Sequence, residues 1–168
     1  MQNKLIKLSS EILQICDKNK ITISSAESCT GGLISQYFTS HPGSSKVFLG
    51  GFVTYSNNSK IKILNVKEET LKNYGAVSEN TVIEMSEAAK IILNTDISLA
   101  VSGIAGPDGG SNDKPVGLEL PDNITLCVIP NLVQASILID DSMEADECII
   151  TFFSLPLKFL ILSRSNLF

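Results

Sequence analysis

Ile21-Thr22-Ile23-Ser24-Ser25-Ala26-Glu27-Ser28-Cys29-Thr30-Gly31-Gly32-Leu33-Ile34-Ser35-Gln36-Tyr37-Phe38 is the stretch on which the fold turns. It opens on β-branched residues, Ile21 to Ile23, which suit the pleated surface of a short strand. It closes on Leu33, Ile34, Tyr37 and Phe38, which have helical spacing. The Ser/Thr/Gly cluster between them therefore lies at a strand-to-helix junction. Upstream, Leu5, Leu8, Ile12 and Ile15 recur at steps of three or four, the stripe of an amphipathic helix that packs on a sheet.

Downstream, His41-Pro42-Gly43-Ser44-Ser45 is turn chemistry, and Val47 to Tyr55 reads as a buried strand interrupted by Gly50 and Gly51. Paired glycines inside a strand point to a bulge or a close backbone approach. Asn57-Asn58-Ser59 offers N-caps to a short helix holding Lys60, Ile61 and Leu64, and a second helix covers Glu68 to Tyr74 and stops at Gly75. Ser78 caps a helix running to about Leu93, with Val82, Met85, Ala89 and Ile92 as its buried stripe. Ile97 to Ser102 is an apolar strand that feeds Gly103-Ile104-Ala105-Gly106-Pro107-Asp108-Gly109-Gly110. Helices alternating with buried strands define an α/β fold, expected as a single three-layer α/β/α domain over residues 1–168 with a mostly parallel central sheet.

The character changes after Gly117. The last 51 residues hold no glycine and seven acids before Cys148, and they end in a 14-residue apolar run, Ile149 to Leu162. Pro156 and Lys158 interrupt that run, and it is shorter than the roughly 20 residues a membrane span needs. It is expected to form a core strand or strand pair, with further strands at Ile124 to Ile129 and Ser136 to Ile139.

Composition limits function. Among 168 residues, 43% are hydrophobic and 18% charged, so the chain can build its own core. Net charge is −5, and the excess lies in the tail: residues 1–118 carry 11 acids and 11 bases, residues 119–168 seven and two. The lysines are dispersed and Arg164 is the sole arginine, which argues against nucleic-acid binding. Cys16, Cys29, Cys127 and Cys148 are scattered without a C-x-x-C pair, and the N-terminus has no continuous apolar h-region. These features argue against a zinc site and for a reduced, cytoplasmic protein.

Several residues carry chemistry. His41 precedes Pro42 in a turn, with nothing tying it to a serine, and reads as a solvated loop histidine rather than a triad base. Position alone makes Ser28 an N-cap, with Thr30 a rival, yet Gly31 and Gly32 behind it argue against a merely structural cap. A hydroxyl there also meets backbone N–H groups able to stabilise an oxyanion. Without a histidine, a serine can be activated by a desolvated, neutral lysine. Lys60 is the candidate, although spacing alone favours a surface lysine; Tyr55 at the preceding strand end offers a hydroxyl that could converge on it. The loop from Gly103 to Gly110 matches neither a P-loop nor a dinucleotide fingerprint, and reads either as a plain turn or as a ligand-binding edge of the sheet.

Six motifs, in order, resemble the CinA C-terminal-domain family. They are Ala26-Glu27-Ser28-Cys29-Thr30-Gly31-Gly32; Pro42-Gly43-Ser44-Ser45; Gly51-Phe52-Val53-Thr54-Tyr55-Ser56-Asn57 with Lys60; Gly75-Ala76-Val77-Ser78-Glu79; Ser102 to Gly110; and Lys114-Pro115-Val116-Gly117. The resemblance spans about residues 5–117, and residues 118–168 depart from it. It implies a stand-alone amidohydrolase converting nicotinamide mononucleotide to nicotinate mononucleotide and ammonia, with no metal or organic cofactor. By resemblance, Ser28 is the nucleophile, Tyr55 and Lys60 assist it, and N–H groups near Thr30, Gly31 and Gly32 hold the oxyanion. Gly103, Ala105 and Gly106 then border the nucleotide. The implied partner is this small-molecule substrate, with no nucleic acid and no membrane; a homo-oligomer is compatible. The departing tail leaves two alternatives, a non-catalytic nucleotide-binding or regulatory module and an inactive remnant.

Overall fold

The computed structural model describes residues 2–104, 148–150 and 160–162. Its core is a parallel sheet of three strands, β1 (Ile23–Glu27), β2 (Phe48–Val53) and β3 (Ile97–Val101), in the order β2-β1-β3. Among the described residues five α-helices accompany it: α1 (Gln2–Asn19), α2 (Leu33–Thr39), α3 (Asn57–Leu64), α4 (Glu68–Tyr74) and α5 (Glu79–Leu93). Alternation along the strands divides the core in two. Ile23, Leu99 and Val101 face Leu13 and Cys16 of α1 and Ile34 and Phe38 of α2. Ala26 and Ala100 face Leu64 of α3 and Val82, Met85 and Ala89 of α5. Helices thus cover both faces of the sheet, as the alternating pattern requires.

The deciding stretch folds differently in detail from its hydropathy. β1 begins at Ile23 and continues through Ser24, Ser25, Ala26 and Glu27, all of them buried. Polar residues tolerate this position because each has a partner: Ser24 Oγ hydrogen-bonds Thr95 Oγ1 at 2.7 Å and Ser25 Oγ bonds Ser35 Oγ at 3.0 Å. In α1 the buried stripe is Leu5, Ser9, Leu13 and Cys16, with Leu8 and Ile12 only partly buried at its margin. The expected stripe is therefore rotated by about one residue. Ile92 of α5 is likewise exposed, while Ser86, which donates to Ser98 O at 3.2 Å, lies on the inward face.

Capping agrees closely at two helices and shifts at a third. Ser78 caps α5 by accepting from Thr81 N, and α4 ends at Gly75. For α3 the cap is Ser56, which accepts from Ser59 N while Ser59 Oγ accepts from Ser56 N in a reciprocal box. His41 is half-buried, and its Nε2 lies 2.7 Å from Ser9 Oγ. It pins the α2–β2 turn to α1 and is not a solvated loop residue.

Both expectations for the paired glycines hold. The β1–β2 register slips between Ile23↔Phe48 and Ser24↔Gly50, leaving Leu49 as the extra residue of a bulge. A Cβ on Gly51 would overlap Ser25 Oγ and Ser35 Oγ. Gly51→Ala should destabilise the fold by about 1–3 kcal/mol through this overpacking; urea unfolding checks it, and an unchanged midpoint would contradict the close approach.

Within the apolar run, β4 (Cys148–Ile150) and β5 (Leu160–Leu162) pair antiparallel, Ile149 opposite Ile161. The expected strands at Ile124 to Ile129 and Ser136 to Ile139 lie outside the described residues. No described helix is long and apolar enough to cross a membrane.

Candidate active site

From β1 the chain goes to β2 on one side, and from β2 it returns past β1 to β3 on the other. The direction of winding reverses at β1, so its carboxyl end opens a crevice of the kind in which open α/β sheets bind ligands. Ser28 is the first residue beyond that end. Its N–H donates to Val101 O at 3.0 Å, and Thr54 N donates to Glu27 O at 2.8 Å, so the ends of all three strands are tied around it.

Lys60 reaches this point from the first turn of α3. It is 1% exposed, and its Nζ donates to Ser28 Oγ at 2.9 Å, to Thr54 O at 2.7 Å and to Tyr55 O at 3.5 Å. Among the described residues no carboxylate lies within ion-pair distance of Nζ. Burial without a counter-ion pushes its pKa down from the ordinary lysine value. On losing a proton the amine keeps two N–H groups for the two carbonyls and turns its lone pair to the Ser28 hydroxyl. That arrangement can accept a proton from Ser28. The surface-lysine reading is thereby corrected.

Ser28, 6% exposed, is not the N-cap of α2. That position belongs to Gly32, in a left-handed conformation at φ 103°, preceded by Gly31 at φ 60°. Two left-handed residues in succession explain both glycines, since only Gly adopts this backbone freely. The cap itself is the carboxylate of Glu27, which is fully buried. Its Oε2 accepts from Thr30 Oγ1 at 2.7 Å, Gly32 N at 3.2 Å and Ile34 N at 3.0 Å. Its Oε1 accepts from Ser35 N at 2.9 Å and Ser35 Oγ at 2.6 Å.

These bonds revise the expected oxyanion donors. Gly32 N is bound to Glu27, Gly31 N donates to Ser28 O at 3.1 Å, and the Thr30 hydroxyl is held by Glu27. The amides of Cys29 and Thr30 follow Ser28 directly, lie beside the Cys29 thiol, and are not donors to Glu27. That thiol, adjacent to Ser28, is pushed up to about 11 by burial. It stays protonated near neutral pH and is a poor competitor as nucleophile.

Tyr55 does not bring its hydroxyl to the pair. Its side chain is 72% exposed while Thr54 is fully buried, because successive residues leaving a strand point to opposite sides. Its carbonyl, not its phenol, meets Lys60. Gly103 follows β3 at the same sheet edge and is half-buried. Next to it, Ser102 Oγ donates to Ala76 O at 2.8 Å, bringing the Gly75–Glu79 motif to that edge as well. Ala105 and Gly106 lie outside the described residues. Glu27 and the Thr54 carbonyl are the components that sequence reasoning assigned no role. Ser28 and Thr30, the apparent caps in the sequence, masked any signal for Glu27 as the cap; a main-chain carbonyl leaves none.

A buried serine–lysine pair thus sits at the switch point of a parallel α/β sheet. The family model of the CinA C-terminal domain matches residues 5–120, and the chain belongs to that family. Among its relatives, a CinA-like protein of Fervidobacterium nodosum is 58% identical over 106 residues, 63% of this chain and 26% of that protein. A CinA-like protein of Thermotoga neapolitana is 51% identical over 116 residues, 69% of this chain and 28% of its own length. The chain thus matches about a quarter of the length of these curated relatives. Two solved structures have the same fold. The competence/damage inducible protein CihA of Agrobacterium tumefaciens superposes with TM-score 0.67 at 40% identity, covering 74% of this chain and 79% of that one. The competence damage-inducible protein A of Klebsiella pneumoniae gives TM-score 0.65 at 35% identity, covering 67% and 70%.

Proposed function

We propose that the chain is a serine amidase that hydrolyses the carboxamide of nicotinamide mononucleotide. The observation that carries the catalytic part is the placement of Lys60 Nζ, buried between two carbonyls and 2.9 Å from Ser28 Oγ. The substrate part rests on the resemblance of the motifs to the amidohydrolase branch of the family.

In the first half-reaction Ser28 Oγ attacks the carboxamide carbon, and neutral Lys60 takes the hydroxyl proton. The amides of Cys29 and Thr30 face the developing oxyanion. Lys60 then gives the proton to the leaving nitrogen, the C–N bond breaks, ammonia departs and an acyl ester remains on Ser28. In the second half-reaction water attacks the ester, its proton passes through Lys60 to Ser28 Oγ, and nicotinate mononucleotide is released. Tyr55 acts on the substrate side: its exposed ring, next in sequence to the Thr54 carbonyl that holds Nζ, offers a π face to the cationic pyridinium ring. No step requires a metal or organic cofactor.

Because the base must be neutral, kcat/KM should rise with pH on a limb whose midpoint lies below the ordinary lysine value of about 10.4. A limb centred at or above that value would contradict Lys60 as base. The reading itself is tested by incubating the chain with nicotinamide mononucleotide and separating the products by chromatography. Nicotinate mononucleotide supports it; free nicotinamide, or unchanged substrate with a folded chain, contradicts it.

A further inference from the structure

We propose that Glu27 is a positioning residue for the nucleophile, a role that rests on the reading of Ser28 as a serine nucleophile. The loop that carries Ser28 begins at Glu27 and ends at the first turn of α2. Upstream it is fixed by the sheet: Glu27 pairs with Val53 and Val101, Thr54 N donates to Glu27 O, and Ser28 N donates to Val101 O. Downstream it is fixed by the Glu27 carboxylate, which accepts from Gly32 N, Ile34 N, Ser35 N and two hydroxyls. One side chain thus ties the end of the loop to its start, and Ser28 is held within that closed segment.

Two consequences follow for the chemistry. The distance from Ser28 Oγ to Lys60 Nζ is set between two rigid frames, the clasped loop and the capped helix α3, and a loosened loop would lengthen it. The positive end of α2 is also met by the protein's own carboxylate, which takes the amides of Gly32, Ile34 and Ser35 and leaves those of Cys29 and Thr30 outside the clasp. Glu27 is fully buried and acts through the loop, without touching substrate.

The experiment compares wild type, Glu27→Gln and Ser35→Ala, the second losing one of the five donors to the carboxylate. Ammonia release gives kcat and KM, and labelling of Ser28 by a fluorophosphonate, followed by mass spectrometry, gives the rate per serine and the reactive fraction without using the nucleotide. For Glu27→Gln, kcat per reactive site and the labelling rate should fall about 100-fold with KM within threefold, and for Ser35→Ala both should fall about tenfold. A merely structural role would reduce the reactive fraction and the melting temperature but leave the rate per reactive site intact, and that result would overturn the proposal. If Glu27→Gln does not fold, Ser35→Ala decides: an unchanged labelling rate overturns the proposal and a tenfold fall upholds it. Labelling without ammonia release in wild type would refute the substrate assignment alone, and the labelling rates would still judge Glu27. Wild type that shows neither refutes the nucleophile and the positioning role together.

Discussion

Ser28→Ala should lower turnover by at least about 10⁴-fold while leaving the fold intact, because removing a nucleophile removes the covalent route altogether. The prediction is sharp for this residue because Ser28 has little structural work to do. Capping of α2 is carried out by Glu27, and Ser28 is held in place through its main chain, by Val101 O and Gly31 N, contacts that alanine keeps. Among the described residues the hydroxyl has one side-chain partner, Lys60 Nζ. Circular dichroism and thermal melting should match wild type. A variant that keeps near-normal turnover would show that Oγ is not the attacking atom, and one that unfolds would show that the hydroxyl serves the structure instead.

Lys60→Met should reduce turnover by about 10³-fold, the scale expected for a general base. It should also change how stability depends on pH. Lys60 has its folded pKa below its unfolded value, so between the two the unfolded chain binds more protons than the folded one. In wild type, stability from this group therefore rises with pH across that window, up to about 10.4, and the burial cost is fully present below the folded value. Methionine has no proton to lose. The stability of wild type relative to Lys60→Met should accordingly improve from neutral pH toward pH 10, measured as the difference in melting temperature, while all other lysines cancel. A constant difference would mean that Lys60 titrates normally.

Much of the scaffold is legible from local chemistry. Gly75 ends α4, Ser78 caps α5, and Gly50-Gly51 marks a bulge where Ser25 and Ser35 approach the backbone, because caps, stops and bulges depend on the residue in place. What fails does so where polar groups are buried in pairs. Hydropathy ends β1 at Ile23, but Ser24, Ser25 and Glu27 stay in the strand because Thr95, Ser35 and the first turn of α2 satisfy them. The same limit applies at the site. Nothing around Lys60 in the sequence says that it is buried, since its partners are a serine 32 residues earlier and the main-chain oxygens of Thr54 and Tyr55. The motif resemblance singled out Ser28 and Lys60, and the structure brings those two together. It also singled out the Tyr55 hydroxyl and the amides of Gly31 and Gly32, but strand alternation turns the tyrosine outward, the Glu27 cap takes Gly32 N and the Ser28 carbonyl takes Gly31 N.

The serine–lysine account is tested most directly by ammonia release from nicotinamide mononucleotide, without added metal, by wild type, Ser28→Ala and Lys60→Met side by side. It predicts release by wild type and near-background release by both variants, each folded. Equal release by wild type and either variant, or none from a folded wild type, would contradict it.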